Sequence, residues 1–107
     1  MKYSIIINPQ SKNSKATTHA FNFVKALIQN KIQKIDVFFY GLAVESAFVS
    51  NDDWEKVAQL GVSIVACSTL AESYLSKQLS TVTFVTLGGL AQWMESVLDA
   101  DKNIEFI

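Results

Sequence analysis

Short runs of β-branched and aromatic residues recur along this 107-residue chain, each separated from the next by a stretch with helical spacing. That alternation constrains the fold more than any other feature of the sequence. Residues 2–8 read as a first strand, with Ile5, Ile6 and Ile7 forming a continuous apolar run of the kind covered on both faces. Pro9 ends it, and residues 10–14 are polar and loop-like. A second strand spans residues 34–40 around Ile35, Val37, Phe38 and Phe39, and Gly41 breaks it. Residues 62–66 form a third strand that ends at Cys67, residues 81–86 a short fourth and residues 103–107 a fifth.

The intervening stretches have a different period. Over residues 15–30, Ala16, Ala20, Phe23, Val24, Leu27 and Ile28 share one broad face. Residues 42–48 fit a short helix. Asn51 or Asp52 caps a further one, with Glu55 at capping-box spacing from Asp52 and Trp54, Val57 and Ala58 as its apolar stripe. Gly61 stands where a left-handed helix end belongs. Thr69 and Glu72 form another capping box, ahead of Leu70, Ala71, Tyr74 and Leu75. Gly88 and Gly89 turn into a last helix over residues 90–99, with Leu90, Ala91, Met94, Val97 and Leu98 expected to face inward.

The order β-α-β-α-α-β-α-β-α-β predicts a single three-layer α/β domain. Its sheet is mostly parallel, with about five short strands and helices on both faces. Functional groups of such sheets gather at the carboxyl ends of the strands.

Composition narrows the function. Half of the residues are hydrophobic, enough for one core without metals or disulfides. No apolar run is long enough to span a bilayer, and no signal-peptide pattern is visible, so a cytoplasmic location is expected. Residues 1–35 carry six lysines and no acid, whereas the rest carries ten acids and three lysines. There is no arginine, which disfavours direct nucleic-acid binding; the uneven charge suits docking to another protein. With one cysteine and one histidine, neither an internal disulfide nor a self-contained zinc site is expected, and no cofactor is implied.

The usual chemical signatures of parallel α/β domains are missing. There is no G-x-G-x-x-G after the first strand, no P-loop and no G-x-S-x-G elbow. Strand one ends in Asn8 rather than an acid, which disfavours a phosphoacceptor site, and a small-ligand domain of flavodoxin type lacks its phosphate loop. Cys67 remains as the candidate nucleophile. It sits between a buried strand and a helix whose first amides, at Ser68 and Thr69, are unpaired and carry partial positive charge. That field favours a thiolate, or the anion of a persulfide. Cysteine is equally at home as a small buried hydrophobe, and that alternative stays open. His19 is read as a surface residue of the first helix, and Trp54 and Trp93 as core or subunit-contact residues. Asp99 and Asp101 are read as solvated acids. Ser11, Asn13, Ser14 and Thr17 are read as capping the first helix.

Taken in order, several segments resemble the DsrE/TusD family of sulfur-relay proteins. The first helix reads Ala20-Phe21-Asn22-Phe23-Val24-Lys25-Ala26-Leu27, like the family's Ala-Phe-x-Phe-x-x-Ala-Leu stretch. Strand two ends Val37-Phe38-Phe39-Tyr40, strand three runs into Cys67, and the close reads Leu87-Gly88-Gly89-Leu90-Ala91 followed by Asp101 and Phe106. The loop over residues 8–13 lacks the glycine often found there, and the region after Cys67 is shorter than in TusD-like chains. The resemblance implies one DsrE/TusD-like domain over residues 1–107 that accepts sulfane sulfur on Cys67 and relays it between a donor and an acceptor protein. It further implies service in tRNA 2-thiouridine synthesis or sulfur oxidation. A trimer or hexamer, with copies or related subunits, is implied as well. The alternative is a non-catalytic interaction subunit in which Cys67 is structural.

Overall fold

The computed structural model describes residues 1–48, 52–75 and 84–107. The chain runs β1 (Lys2–Ile7), α1 (Ala16–Gln29), β2 (Lys34–Phe39), α2 (Ala43–Phe48) and α3 (Asp52–Gln59). It continues through β3 (Ser63–Cys67), α4 (Ser68–Leu75), β4 (Thr86–Gly88), α5 (Leu90–Asp99) and β5 (Lys102–Phe106). The strands form one sheet in the order β4-β3-β2-β1-β5, and all four pairings are parallel. The expected three-layer architecture is therefore present, with every described strand parallel.

Strand alternation sorts the side chains. Ile5 and Ile7 of β1 and Ile35, Val37 and Phe39 of β2 point to one face, where they are buried. This is the α1 and α3 side. Phe23 of α1 meets Tyr3 and Phe106 there, and Trp54 of α3 packs edge-on against both Phe21 and Phe39, with ring centroids 5.2 and 5.1 Å apart. Ala16, Ala20, Val24 and Leu27 of α1 are buried at helical spacing, as expected. Ser14, one residue ahead of the Lys15 N-cap, accepts a hydrogen bond from the Ala16 amide, while Lys15 itself makes no side-chain cap.

Two helices end in the same way with different residues. At the end of α3, the Gly61 and Val62 amides donate back to the Ala58 and Val57 carbonyls, and Gly61 has φ +104°. At the end of α1, Lys31 and Ile32 donate to Ile28 and Leu27, and Lys31 takes φ +64° without being glycine. Both are Schellman ends, the second announced by no glycine in the sequence.

Three expectations need correction. The fourth strand lies over Thr86–Gly88 rather than 81–86: Phe84 and Val85 precede it, and residues 81–83 lie outside the described residues. An apolar β-branched run reads as strand, but pairing with Val65, Ala66 and Cys67 of β3 decides where the strand falls. Gly88 is thus a paired strand residue, not part of a turn. Second, α4 begins at Ser68, directly after Cys67, which puts Thr69 inside the helix rather than at its cap. Asn51 and the side chains of Asp52, Leu70, Tyr74 and Leu75 lie outside the described residues, and Ala71 is buried. Third, α5 faces the sheet with Trp93 and Ser96, with Val97 half-buried. Leu90, Met94 and Leu98, expected inside, are 50, 48 and 79 % exposed, and Ala91 is exposed too. Periodicity gives α5 a single apolar stripe, but the helix is rotated so that the edge of that stripe, Trp93 and Val97, and the neighbouring Ser96 meet the sheet, where Ser96 bonds Ser4 and Asp36.

Trp54 fills the layer between α3 and the sheet, so Trp54→Ala is expected to lose about 3–5 kcal/mol in urea unfolding. Leu60→Ala, at a residue 68 % exposed, is expected to change stability by no more than about 0.5 kcal/mol.

Candidate functional site

Cys67 closes β3 and α4 starts at the next residue, so no loop separates the thiol from the first helical turn. The first amides of that turn, which have no partner within the helix, belong to Ser68 and Thr69, the two residues that follow Cys67. Ser68 is half-buried and Thr69 exposed. Cys67 is a free cysteine, 5 % exposed. In the sheet it is paired with Gly88 on one side, and Ala66 beside it is paired with Phe39. Alternation along β3 puts Cys67 on the same face as Ser63 and Val65, the face that carries α5. Gly89 follows Gly88 and immediately precedes α5, so the strand partner of Cys67 leads into a second helix N-terminus.

The remaining candidates lie elsewhere. His19 is exposed on α1, the helix of the opposite sheet face. Among the described residues, no group of three or more His, Cys, Asp or Glu side chains could hold a metal ion. No helix among the described residues is long and apolar enough to cross a membrane.

A polar cluster at the other end of the sheet is not evident in the sequence. Ser4 of β1 is buried, and Ser96 of α5 places its Oγ 2.8 Å from both the Ser4 hydroxyl and Asp36 Oδ2. With a single proton, Ser96 donates to the Asp36 carboxylate and accepts from Ser4. Lys2 adds ion pairs to Asp36 at 3.2 Å and Asp99 at 2.9 Å, and its backbone N–H donates to Asp101 at 2.8 Å. Asp99 and Asp101 are exposed, as expected of solvated acids, and each also bonds Lys2 at the start of β1. A period-two pattern of Lys2, Ser4 and Asp36 in strands was the available signal: small polar residues there mark the face that meets a polar helix side. This cluster lines one end of a groove of about 380 Å³ between α5 and strands β2 and β3, which continues past Phe38, Val65, Gln92 and Trp93.

A domain of this kind, an all-parallel α/β sheet with a free cysteine at its carboxyl edge, is the class that fold and site define. The chain belongs to the DsrE/DsrF-like family, whose model matches residues 1–106. Solved structures agree on the fold. The YchN protein from E. coli superposes with a TM-score of 0.85 at 18 % identity, covering 99 % of both chains. MTH1491 from Methanobacterium thermoautotrophicum, a protein of unknown function, gives 0.76 at 15 % identity over 97 % of each chain. BT1422 from Bacteroides thetaiotaomicron gives 0.70 at 13 % identity, covering 98 % of this chain and 95 % of the other. No curated protein matches the sequence.

The Lys2–Asp99 pair carries a pH signature. The Lys2 ammonium, by hydrogen bond and charge, holds the Asp99 carboxyl below its ordinary 3.8. Asp99 and then Asp36 raise Lys2 above its ordinary 10.5. A lowered carboxyl pKa stabilises the fold above pH 3.8, and that contribution disappears as pH falls through the folded value. A raised lysine pKa stabilises below pH 10.5 and is lost as pH rises through the folded value. Asp99→Asn is therefore expected to melt slightly below wild type at neutral pH, with the gap closing at both extremes and in high salt. Thermal melts across pH and ionic strength check this.

Proposed function

We propose that this chain is a sulfur carrier of the relay type, holding sulfane sulfur on Cys67 as a persulfide and passing it between proteins. The family is associated with sulfur relay, and the observation that carries the reading is the position of Cys67 at a strand end, one residue before the amides of α4. The Cys67 thiolate attacks the outer sulfur of a donor persulfide. A new S–S bond forms to Cys67, and the donor leaves as its own thiolate. The terminal sulfur then stands as Cys–S–S⁻ beside the Ser68 and Thr69 amides, which favour an anion. An acceptor thiolate attacks that terminal sulfur and releases the Cys67 thiolate. Each step exchanges one thiolate for another, so neither an oxidant nor a cofactor is consumed. A reducing cytoplasm suits a free cysteine of this kind. The acceptor pathway is either tRNA 2-thiouridine synthesis or sulfur oxidation, with contact to proteins and not to nucleic acid.

The burial of Cys67 supports a second reading, an interaction subunit in which the thiol only fills the core. One experiment separates the two. After incubation with a sulfane-sulfur donor, intact mass of the native protein is expected to increase by one sulfur atom, and Cys67→Ser is expected to gain none. No gain in the wild-type protein, together with unaltered complex formation by Cys67→Ala, selects the interaction subunit.

Assembly with copies or related subunits, as a trimer or hexamer, belongs to the same proposal. Its support is the outward row of Leu90, Met94 and Leu98 on α5. Apolar side chains in one stripe on a helix mark a contact surface rather than a solvated one. In sedimentation equilibrium, wild-type protein is expected at a multiple of 11.9 kDa, and the Met94→Glu/Leu98→Glu double variant at the single-chain mass. A wild-type monomer at micromolar concentration rejects self-assembly.

A further inference from the structure

A thiol that is 5 % exposed cannot meet a donor sulfur until something moves. The surroundings of Cys67 single out what moves. Gln92 stands on the first turn of α5, its amide bonded to the Gly89 carbonyl. Its carboxamide rests on Gly88: a Cβ added at Gly88 would overlap Gln92 Oε1 and come within 2.8 Å of Val65 Cγ1. The carboxamide thus occupies the place where a side chain of residue 88 would stand. Gly88 is the strand partner of Cys67. Neighbouring strands lie about 4.8 Å apart, so that place adjoins the Cys67 side chain on the α5 face. Gln92 also lines the groove beside α5, together with Phe38 and Val65. By alternation, the β3 residues on that face are Ser63, Val65 and then Cys67, so the groove stops at Val65, one strand position short of the thiol, and Gln92 stands at that end of it over Gly88.

Among the described residues, the other groups near Cys67 are poor candidates for movement. Its backbone belongs to a paired strand and its successor to a helix. Ala71, in the following turn, is fully buried, and Tyr40, the residue after the Phe39 that pairs with Ala66, is stacked on Phe38. Gln92 is exposed over much of its surface, and its rotation breaks no backbone hydrogen bond. We propose that Gln92 is the movable cover of Cys67, a positioning residue that admits a sulfur donor from the groove between α5 and strands β2 and β3. Gly88 supports this role by leaving room for the carboxamide. The inference rests on the carrier reading for its purpose, but its test does not depend on sulfur transfer.

The test is alkylation of the native protein by iodoacetamide, followed by intact mass across a range of pH. Gln92→Ala is expected to react about tenfold faster than wild type, because the opening step is removed. Gln92→Glu keeps the size of the cover but sets a carboxylate beside the sulfur. It is expected to move the pH profile of alkylation upward, since a neighbouring negative charge disfavours the thiolate. Gln29→Ala, on the exposed side of α1, serves as the control and is expected to react like wild type. A wild-type rate in Gln92→Ala, or an unmoved profile in Gln92→Glu, overturns the proposal. Sulfur gain, measured separately, keeps the two claims distinct. Fast alkylation of Gln92→Ala without sulfur gain in the wild type retains the cover and rejects the carrier, and sulfur gain with no Gln92 effect does the reverse.

Discussion

Parallel pairing is the constraint on which the rest of this molecule depends. A parallel strand cannot return by a hairpin, so each connection must cross over the sheet, and such crossovers are right-handed. From β1 the chain steps outward through β2 and β3 to β4, and then comes back past all of them to pair β5 on the free side of β1. Steps in one direction put their connecting helices on one face, and the return step puts its helix on the other. The first face accordingly receives α1 and α3, with Trp54 wedged between Phe21 and Phe39. The second face receives α5, ten residues long, to cover a five-stranded sheet.

That imbalance produces the features relevant to function. One helix cannot cover five strands, so grooves remain along both of its sides: one beside Phe38 and Val65, the other beside Ile6, Tyr40 and Ile104. The helix is held at its two ends by different means. At the amino end of the strands, the Ser96 hydroxyl links Ser4 to Asp36, while Lys2 ties Asp36 to Asp99. At the carboxyl end, Gln92 lies on Gly88 with no side chain between them. The polar end satisfies Ser4 and Asp36 where burial would otherwise leave them costly. The glycine end lets the helix start close to the strand paired with Cys67.

How much of this was legible in the sequence depends on whether the deciding force is local. Strands β1, β2 and β3 were legible because runs such as Ile5–Ile6–Ile7 have no competing helical pattern. Helix α1 was legible because its buried residues recur at a single period. The junction at Cys67 is legible because the apolar run ending there meets a helical pattern directly. Where partners decide, the sequence was a poor guide. The inner face of α5 is chosen by Ser96 bonding to residues sixty and more positions away, and Leu90, Met94 and Leu98 carry no trace of that choice. The position of β4 follows the pairing to β3, not the apolar residues ahead of it. Lys31 adopts a left-handed conformation because Ile32 must bond back to Leu27, an end usually announced by glycine. Gln92 over Gly88 is a contact between a strand and the next helix that no spacing rule records.

The burial of Cys67 bears on the chemistry as well as on access. A persulfide exposed to water loses its outer sulfur to any thiol that collides with it, so a carrier benefits from a site that is closed between encounters. Closure by backbone would require breaking sheet hydrogen bonds at every turnover, because β3 is paired on both sides at its carboxyl end. Closure by one side chain avoids that loss. The neighbouring strand must then leave room for the side chain, and a glycine paired with the cysteine does so. In this fold the start of the return from β4 to β5 brings the glycine and the covering residue together within five residues, Gly88 to Gln92. The same short segment begins the apolar row on the outer side of α5. Any partner that seats on that row therefore lies on the helix that carries the cover, and docking and access share one element.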